Sequence, residues 1–211
     1  MIGLFDKKEG IFVNNYMIKQ ITYDETKPFI LDIHYAKRMP SISFAYGLHH
    51  IDELIGIVSY GSPASPSLCK GIAGEKNRHL VLELNRLVLK NNKKNQASIL
   101  IGASFKLLPK PKIIVSYADS KQNHIGYVYQ ATNFMFTGTS KPRTDMAGKD
   151  GKHSRHHLGD KTKRVNRSAK HRYVYILANK KDKKQLLQDF KYMPMDYPKN
   201  NKEITSQQAQ V

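Results

Sequence analysis

The chain has 211 residues, the size of one domain or of one domain with a small appendage. Its 40% hydrophobic content supports a core and excludes global disorder, while the single cysteine, Cys69, excludes an internal disulfide and a cysteine-rich zinc module. Lys and Arg number 35 against 17 Asp and Glu, a formal charge of +18, which favours a polyanionic partner, nucleic acid before others. Met1–Gly10 carries Asp6 and Glu9, and no apolar run approaches the length of a bilayer span, so a cytoplasmic protein without a membrane partner is expected.

In chain order, Ile11–Ile21 reads as a strand. Lys27–Pro40 reads as a short helix carrying His34 and Tyr35, followed by a loop. Ser41–His50 and Glu53–Tyr60 form a hairpin about Ile51-Asp52, stopped by the Gly61–Pro66 cluster. His79–Leu89 is a strand interrupted by Glu83 and Arg86. The basic turn Lys90–Asn95 then leads into a helix over Gln96–Leu108, ended by Pro109 and Pro111. Lys112–Tyr117 is an apolar strand that delivers Ala118 and Asp119 at its C-terminal end. Gly126–Asn133 is a short helix and Phe134–Thr137 a short strand closed by Gly138. This alternation predicts a mixed α/β fold.

Composition changes after Gly138. Lys141–Arg172 holds 11 Lys or Arg against three acidic residues, with almost no core formers, and reads as an extended basic arm. Arg172–Leu177 returns as a strand, and Asp182–Phe190 is a short helix. The expected organisation is one domain over 1–211, with its core at about 11–138 and 172–190. A basic insertion covers 141–171 and a flexible tail 199–211.

Asp119 is the most informative residue, because ligands of open α/β sheets gather at the C-terminal ends of the strands. It either serves as a base or ligand-holding carboxylate or caps a turn with Ser120. Glu83 and Arg86 are costly in a central strand unless paired; they form a mutual ion pair or face the cleft. His34 is a cleft residue or an ordinary half-buried histidine. His153, His156 and His157 belong with the basic arm rather than with a metal. Lys94–Gly102 places basic and amide side chains before a helix N-terminus able to hold a pyrophosphate such as that of coenzyme A, although no glycine-rich turn precedes it. The arm cations Lys141, Arg143, Lys149, Lys152, Arg155, Lys161, Lys163, Arg164, Arg167, Lys170 and Arg172 suit phosphate neutralisation.

Leu84-Asn85-Arg86-Leu87, Ile101-Gly102-Ala103-Ser104, Val115–Asp119 and above all His124–Asn133 resemble the Mom family of phage DNA-modification proteins. The resemblance spans roughly His34 to Gly138. It implies a GNAT-like (acyltransferase-like) mixed central sheet flanked by helices, with the basic insertion before the last strand. It also implies transfer of a carbamoylmethyl (methylcarbamoyl) group to N6 of adenine in double-stranded phage DNA, as protection from host restriction. Family-important positions fall on His34, Tyr35, Ser104, Asp119 and Tyr129. A bound iron is associated with the family, which makes His34, Asp119 and Tyr129 a candidate metal cluster. Catalysis would rest on Asp119, Tyr129, His34 and Tyr35, and cofactor binding on Ser104, Glu83, Arg86 and Asn133. The group donor is open, and the missing glycine turn speaks against ordinary acetyl-coenzyme A. The target adenine would be flipped out of the duplex and stacked on Tyr127, a carboxylate or phenolate taking its proton. The rival readings are an acetyl-coenzyme A-dependent N-acetyltransferase and a non-catalytic nucleic-acid-binding protein.

Overall fold

A computed structural model describes residues 10–146 and 164–199. Ile11–Val13 (β1) and Tyr16–Gln20 (β2) are two strands rather than one, because Asn14 and Asn15 turn the chain at φ 47° and 66°. Asparagine tolerates the left-handed region that a two-residue hairpin turn demands. Tyr23–Pro28 (α1) starts at a capping box: Thr22 Oγ1 accepts the Glu25 N–H, and the Glu25 carboxylate accepts the Thr22 N–H at 2.7 Å. It runs into a π-helical turn, Phe29–Ile33, that buries Phe29 and Ile30. His34 already has extended backbone, so His34 and Tyr35 follow the helix instead of riding on it.

Phe44–His50 (β3) and Glu53–Gly61 (β4) form the expected hairpin. Pro66–Asn77 (α2) has no counterpart in the sequence reading; Pro66 opens it, and Gly74 at φ 73° kinks it. Val81–Leu89 (β5), Gln96–Leu107 (α3) and Lys112–Asp119 (β6) make a strand–helix–strand unit whose two strands are parallel. Tyr127–Ala131 (α4) and Met135–Thr139 (β7) follow. Arg143–Met146 (β8) and Arg164–Arg167 (β9) pair as an antiparallel ribbon, so the ends of the basic insertion are strands and not loop. Lys149, Lys152, Arg155, Lys161 and Lys163 lie outside the described residues, as does the tail beyond residue 199. Lys170–Leu177 (β10) starts two residues earlier than expected, and Lys180–Asp189 (α5) is capped by Asn179, whose side-chain oxygen accepts the Asp182 N–H at 2.8 Å.

The main sheet has the order β1-β2-β3-β4-β5-β6-β10-β7, antiparallel throughout except for β5 beside β6. Strand alternation sends Tyr46, Leu48, Val58, Tyr60, Leu82, Leu84 and Ile114 to one face, against Leu100, Ile101 and Phe105 of α3. Val81, Ile113, Val115, Val174 and Ile176 point the other way, onto Ile72 of α2 and Leu186 of α5. Ala45, Ile57 and Val88 extend that second face under Phe29 and Ile30. The strand order and the helices on both faces make this a GNAT-like mixed α/β fold, as expected. Among the described residues no helix is long and apolar enough to cross a membrane.

Candidate active site at the parting of two parallel strands

Strands β5 and β6 pair only at Val81↔Ile113, Leu82↔Ile114 and Glu83↔Val115, although both continue beyond. The cause lies on the far side of β5. There Ser59 stands opposite Arg86 and Tyr60 opposite Leu84, so Asn85 is an extra residue, a β-bulge. The Asn85 side chain fixes the bulge by accepting from Ser59 Oγ at 2.7 Å and donating Nδ2–H to the Ser41 carbonyl at 2.7 Å. At the parting, Ser116 Oγ donates to the Leu84 carbonyl at 2.8 Å. The strands thus part at the C-terminal end of the parallel pair, and this fork is the crevice position at which α/β sheets bind ligands.

Tyr129 of α4 packs between Phe134 and Tyr173, with ring centroids at 5.4 and 5.2 Å, and Ser116 lies near enough to act on its phenol. Burial pushes its pKa up to about 12 against the lowering effect of Ser116, with Tyr35 and Glu83 adding to the rise. The phenol therefore stays protonated at neutral pH and is a proton donor. Gly126, at φ 84°, seats this helix: a Cβ there would lie 2.4 Å from the Tyr173 ring.

His34 Nδ1 accepts the Ala36 N–H at 3.0 Å, and the ring stacks on Tyr35 with centroids 4.4 Å apart. Burial, then the charges of Arg86 and His124, hold the imidazole pKa down to about 4. A neutral ring whose Nδ1 accepts carries its proton on Nε2, so His34 offers a donor. Tyr35 is 53% exposed, and its pKa is raised by burial and by the Asp119 charge. Arg86 binds the Asn85 carbonyl through Nη1 at 2.6 Å and the Arg38 carbonyl through Nη2 at 2.8 Å, while its buried Nε has no partner. Burial and then Arg38 lower its pKa. Glu83 stands last in the paired stretch, close enough for its charge to act on Tyr117, Tyr129 and Arg86.

His34 with Tyr35, Glu83 with Arg86, Asp119 and Tyr129 come from four separate segments, and their charges act on one another around this fork. Asp119 is heavily engaged there: it accepts the Lys121 N–H at 3.0 Å, takes a short hydrogen bond from Ser168 and lies 3.7 Å from Lys170 Nζ. Burial opposes its ionisation, but Ser168, the Lys121 amide, Lys170 and His124 together bring its pKa below the usual value. Ser104 is elsewhere. It is fully buried on the inner face of α3, bonded to Tyr60 Oη at 2.6 Å and to the Ile101 carbonyl at 2.8 Å. Asn133 is exposed and closes the turn after α4 at φ 59°. Tyr127 is 58% exposed at the start of α4.

The iron expected on His34, Asp119 and Tyr129 is overturned. Among the described residues no group of three or more His, Cys, Asp or Glu could hold a metal ion. The three residues are also otherwise occupied: Nδ1 of His34 by Ala36, the Asp119 oxygens by Ser168, Lys121 and Lys170, and the Tyr129 oxygen by its own proton.

The argument against ordinary acetyl-coenzyme A is corrected as well. Asn92 and Asn95, at φ 40° and 66°, make the turn before α3 that glycines were expected to make. Asn95 caps α3 without a side-chain hydrogen bond, leaving the first helical turn to an outside acceptor, with Lys90, Lys93 and Lys94 in the same loop. Ser116 and Asn85, which shape the crevice, were not singled out in the sequence. A signal for Asn85 existed: the apolar residues Leu80, Leu82 and Leu84 jump phase to Leu87 and Leu89.

The model of the Mom protein family matches residues 15–199. The chain is 29% identical to the methylcarbamoylase Mom of Escherichia phage Mu over 112 residues, 50% of this chain and 46% of that relative, so it spans less than half of the relative's length. Among solved structures it is similar to an N-acetyltransferase from Staphylococcus aureus, with 16% identity and TM-score 0.47, covering 78% of this chain and 99% of that one. A Bacillus subtilis acetyltransferase in complex with coenzyme A gives 14% and 0.46, covering 77% and 97%. Arabidopsis thaliana NAA60 in complex with acetyl-coenzyme A gives 13% and 0.48, covering 76% and 98%.

The expected partner, double-stranded DNA with a flipped adenine, has no counterpart among the bound molecules that these structures name, which are coenzyme A and acetyl-coenzyme A. Three described arm cations have partners within the chain, while Lys141, Arg143 and Arg164 are exposed. Arg167 faces Asp145 at 3.7 Å, Lys170 faces Asp119, and Arg172 lies over the Tyr192 ring at 3.6 Å while bonding Thr137.

Proposed function

The chain belongs to the Mom protein family, and on that premise we propose that it is a transferase moving a small acyl-type group from a coenzyme A thioester to an amino nitrogen. The observation that carries this reading is the crevice opened by the Asn85 bulge, with Glu83 and Tyr129 beside it and the basic N-terminus of α3 after β5. Lys93, Lys94 and the first-turn amides of α3 would hold the pyrophosphate. The donor supplies an activated thioester carbonyl. Tyr129 holds a proton on its phenol oxygen for the departing sulfur, and Glu83 takes the proton that the attacking amine loses. His34 Nε2–H and the Arg86 guanidinium offer donors to the acceptor molecule.

The finer reading takes its group from the name of the phage Mu relative and its acceptor from the family resemblance: a CH2CONH2 unit on N6 of adenine, joined by a new N–CH2 bond, so its donor must carry a leaving group on that carbon and is not the thioester acylated at its carbonyl. That nitrogen is a weak nucleophile, because its lone pair is delocalised into the ring, so proton removal by Glu83 in step with attack is what the acceptor requires.

The test has two parts. Purified protein is mixed with acetyl-coenzyme A and either adenosine or a peptide amine, and free thiol is followed; nucleosides from expressing cells are weighed by mass spectrometry. Thiol release that depends on the acceptor supports the transferase. Adenosine with one hydrogen replaced by CH2CONH2 supports the finer reading, and replacement by acetyl supports only the coarser one. No thiol release together with unaltered nucleosides overturns both.

A further inference from the structure

We propose that Asp119 is a positioning residue: its carboxylate latches the root of the β8–β9 ribbon to the end of β6, beside the crevice. Three contacts from two parts of the chain converge on this one side chain. The Lys121 amide belongs to its own turn, whereas Ser168 Oγ and Lys170 Nζ belong to the segment returning from β9 into β10. The same root is tied again through Ser120, whose N–H and Oγ–H both reach the Ala169 carbonyl, at 3.2 and 2.7 Å. The outgoing root is tied too: Ser140 N–H donates to the Lys170 carbonyl at 2.9 Å, and Lys170 N–H donates to Ser140 Oγ at 3.0 Å.

A two-stranded ribbon is marginal by itself, and this one sets Arg143 directly opposite Arg167, an unfavourable like-charge pair. Beyond the Arg167–Asp145 pair within it, its order and direction depend on its root. Asp119 is the charged member of that root, and its side chain is only 13% exposed. Its charge also reaches Tyr35. The latch thus fixes the ribbon relative to the crevice whatever group is transferred there.

The test uses the full chain and three variants, Ser168→Ala, Asp119→Ala and Asp119→Asn, with hydrogen exchange at the β8 and β9 amides as the readout. Loss of a hydrogen bond to a charged acceptor should speed exchange roughly tenfold in Ser168→Ala and Asp119→Ala. Asp119→Asn should stay near wild type, since the amide oxygen still accepts from Ser168 and Lys121. Exchange at β3 and β4 serves as the folding control, and transfer activity should fall in step with ribbon protection. Unchanged ribbon exchange in Asp119→Ala overturns the latch. So does full activity in Ser168→Ala beside an inactive, fully protected Asp119→Asn, which would make the carboxylate a base.

Discussion

Ser116 and Leu84 are joined by a hydrogen bond between a side chain and a strand carbonyl at the level where the two parallel strands stop pairing. The hydroxyl takes the place of the backbone ladder for one residue, so the strands can part without leaving the Leu84 carbonyl bare in the core. Ser116 also lies near enough to act on the Tyr129 phenol, so one small side chain serves the fork and borders the proposed acid.

Replacing Ser116 by Ala should cost about 1–3 kcal/mol, the penalty for a buried carbonyl left without a donor. Urea unfolding followed by circular dichroism measures it. Transfer should slow as well, because the fork that borders Tyr129 loses its tie. A Ser116→Ala protein as stable as the parent would mean that the carbonyl finds another donor.

Tyr129→Phe separates chemistry from packing. The ring still fits between Phe134 and Tyr173, so the melting temperature should change little, while loss of the proton should lower the rate on the order of a hundredfold. The phenol pKa is raised from 10.0 to about 12, so the acid form persists through mildly alkaline pH. By linkage its contribution to stability is complete below pH 10 and is lost as pH climbs towards 12. Rate profiles from pH 7 to 9 should show no decline due to this group.

Much of this was legible in the sequence. The Lys112–Asp119 strand, the Gln96–Leu107 helix and the hairpin before them announce themselves by apolar pattern and by Pro and Gly boundaries. The pairing of Asp119 with Ser168 was not legible, because 49 residues separate them and serine carries no pattern. Helix α2 escaped because Gly71, Gly74 and a serine–proline start look like loop, and its hold comes from Ile72 and Ala73 packing on the sheet. The turn before α3 was misread because glycine was taken as its only maker, when asparagine reaches the same backbone region.

The His34 imidazole makes stability depend on pH in a definite direction. Its folded pKa of about 4 lies below the ordinary 6.5, so the unfolded chain binds the proton first on acidification. The contribution is whole above pH 6.5 and is lost as pH falls through 4. His34→Gln should flatten this slope between pH 7 and pH 4.5 in urea titrations. An identical slope in the variant would show that His34 already charges freely in the folded protein.

The loop before α3 separates backbone shape from charge. Asn95→Ala keeps a β-carbon at φ 66° but loses the short polar side chain that makes this region tolerable, and should cost about 1 kcal/mol, whereas Asn95→Gly should be close to neutral, because glycine accepts that conformation freely. Lys93→Ala with Lys94→Ala leaves the backbone alone and removes two cations from the helix N-terminus. That pair should raise KM for the acyl donor roughly tenfold while kcat holds, with the effect shrinking at high salt as screening takes over. An equal fall in kcat with KM constant would instead mean that the lysines act on the reacting centre and not on a phosphate held away from it.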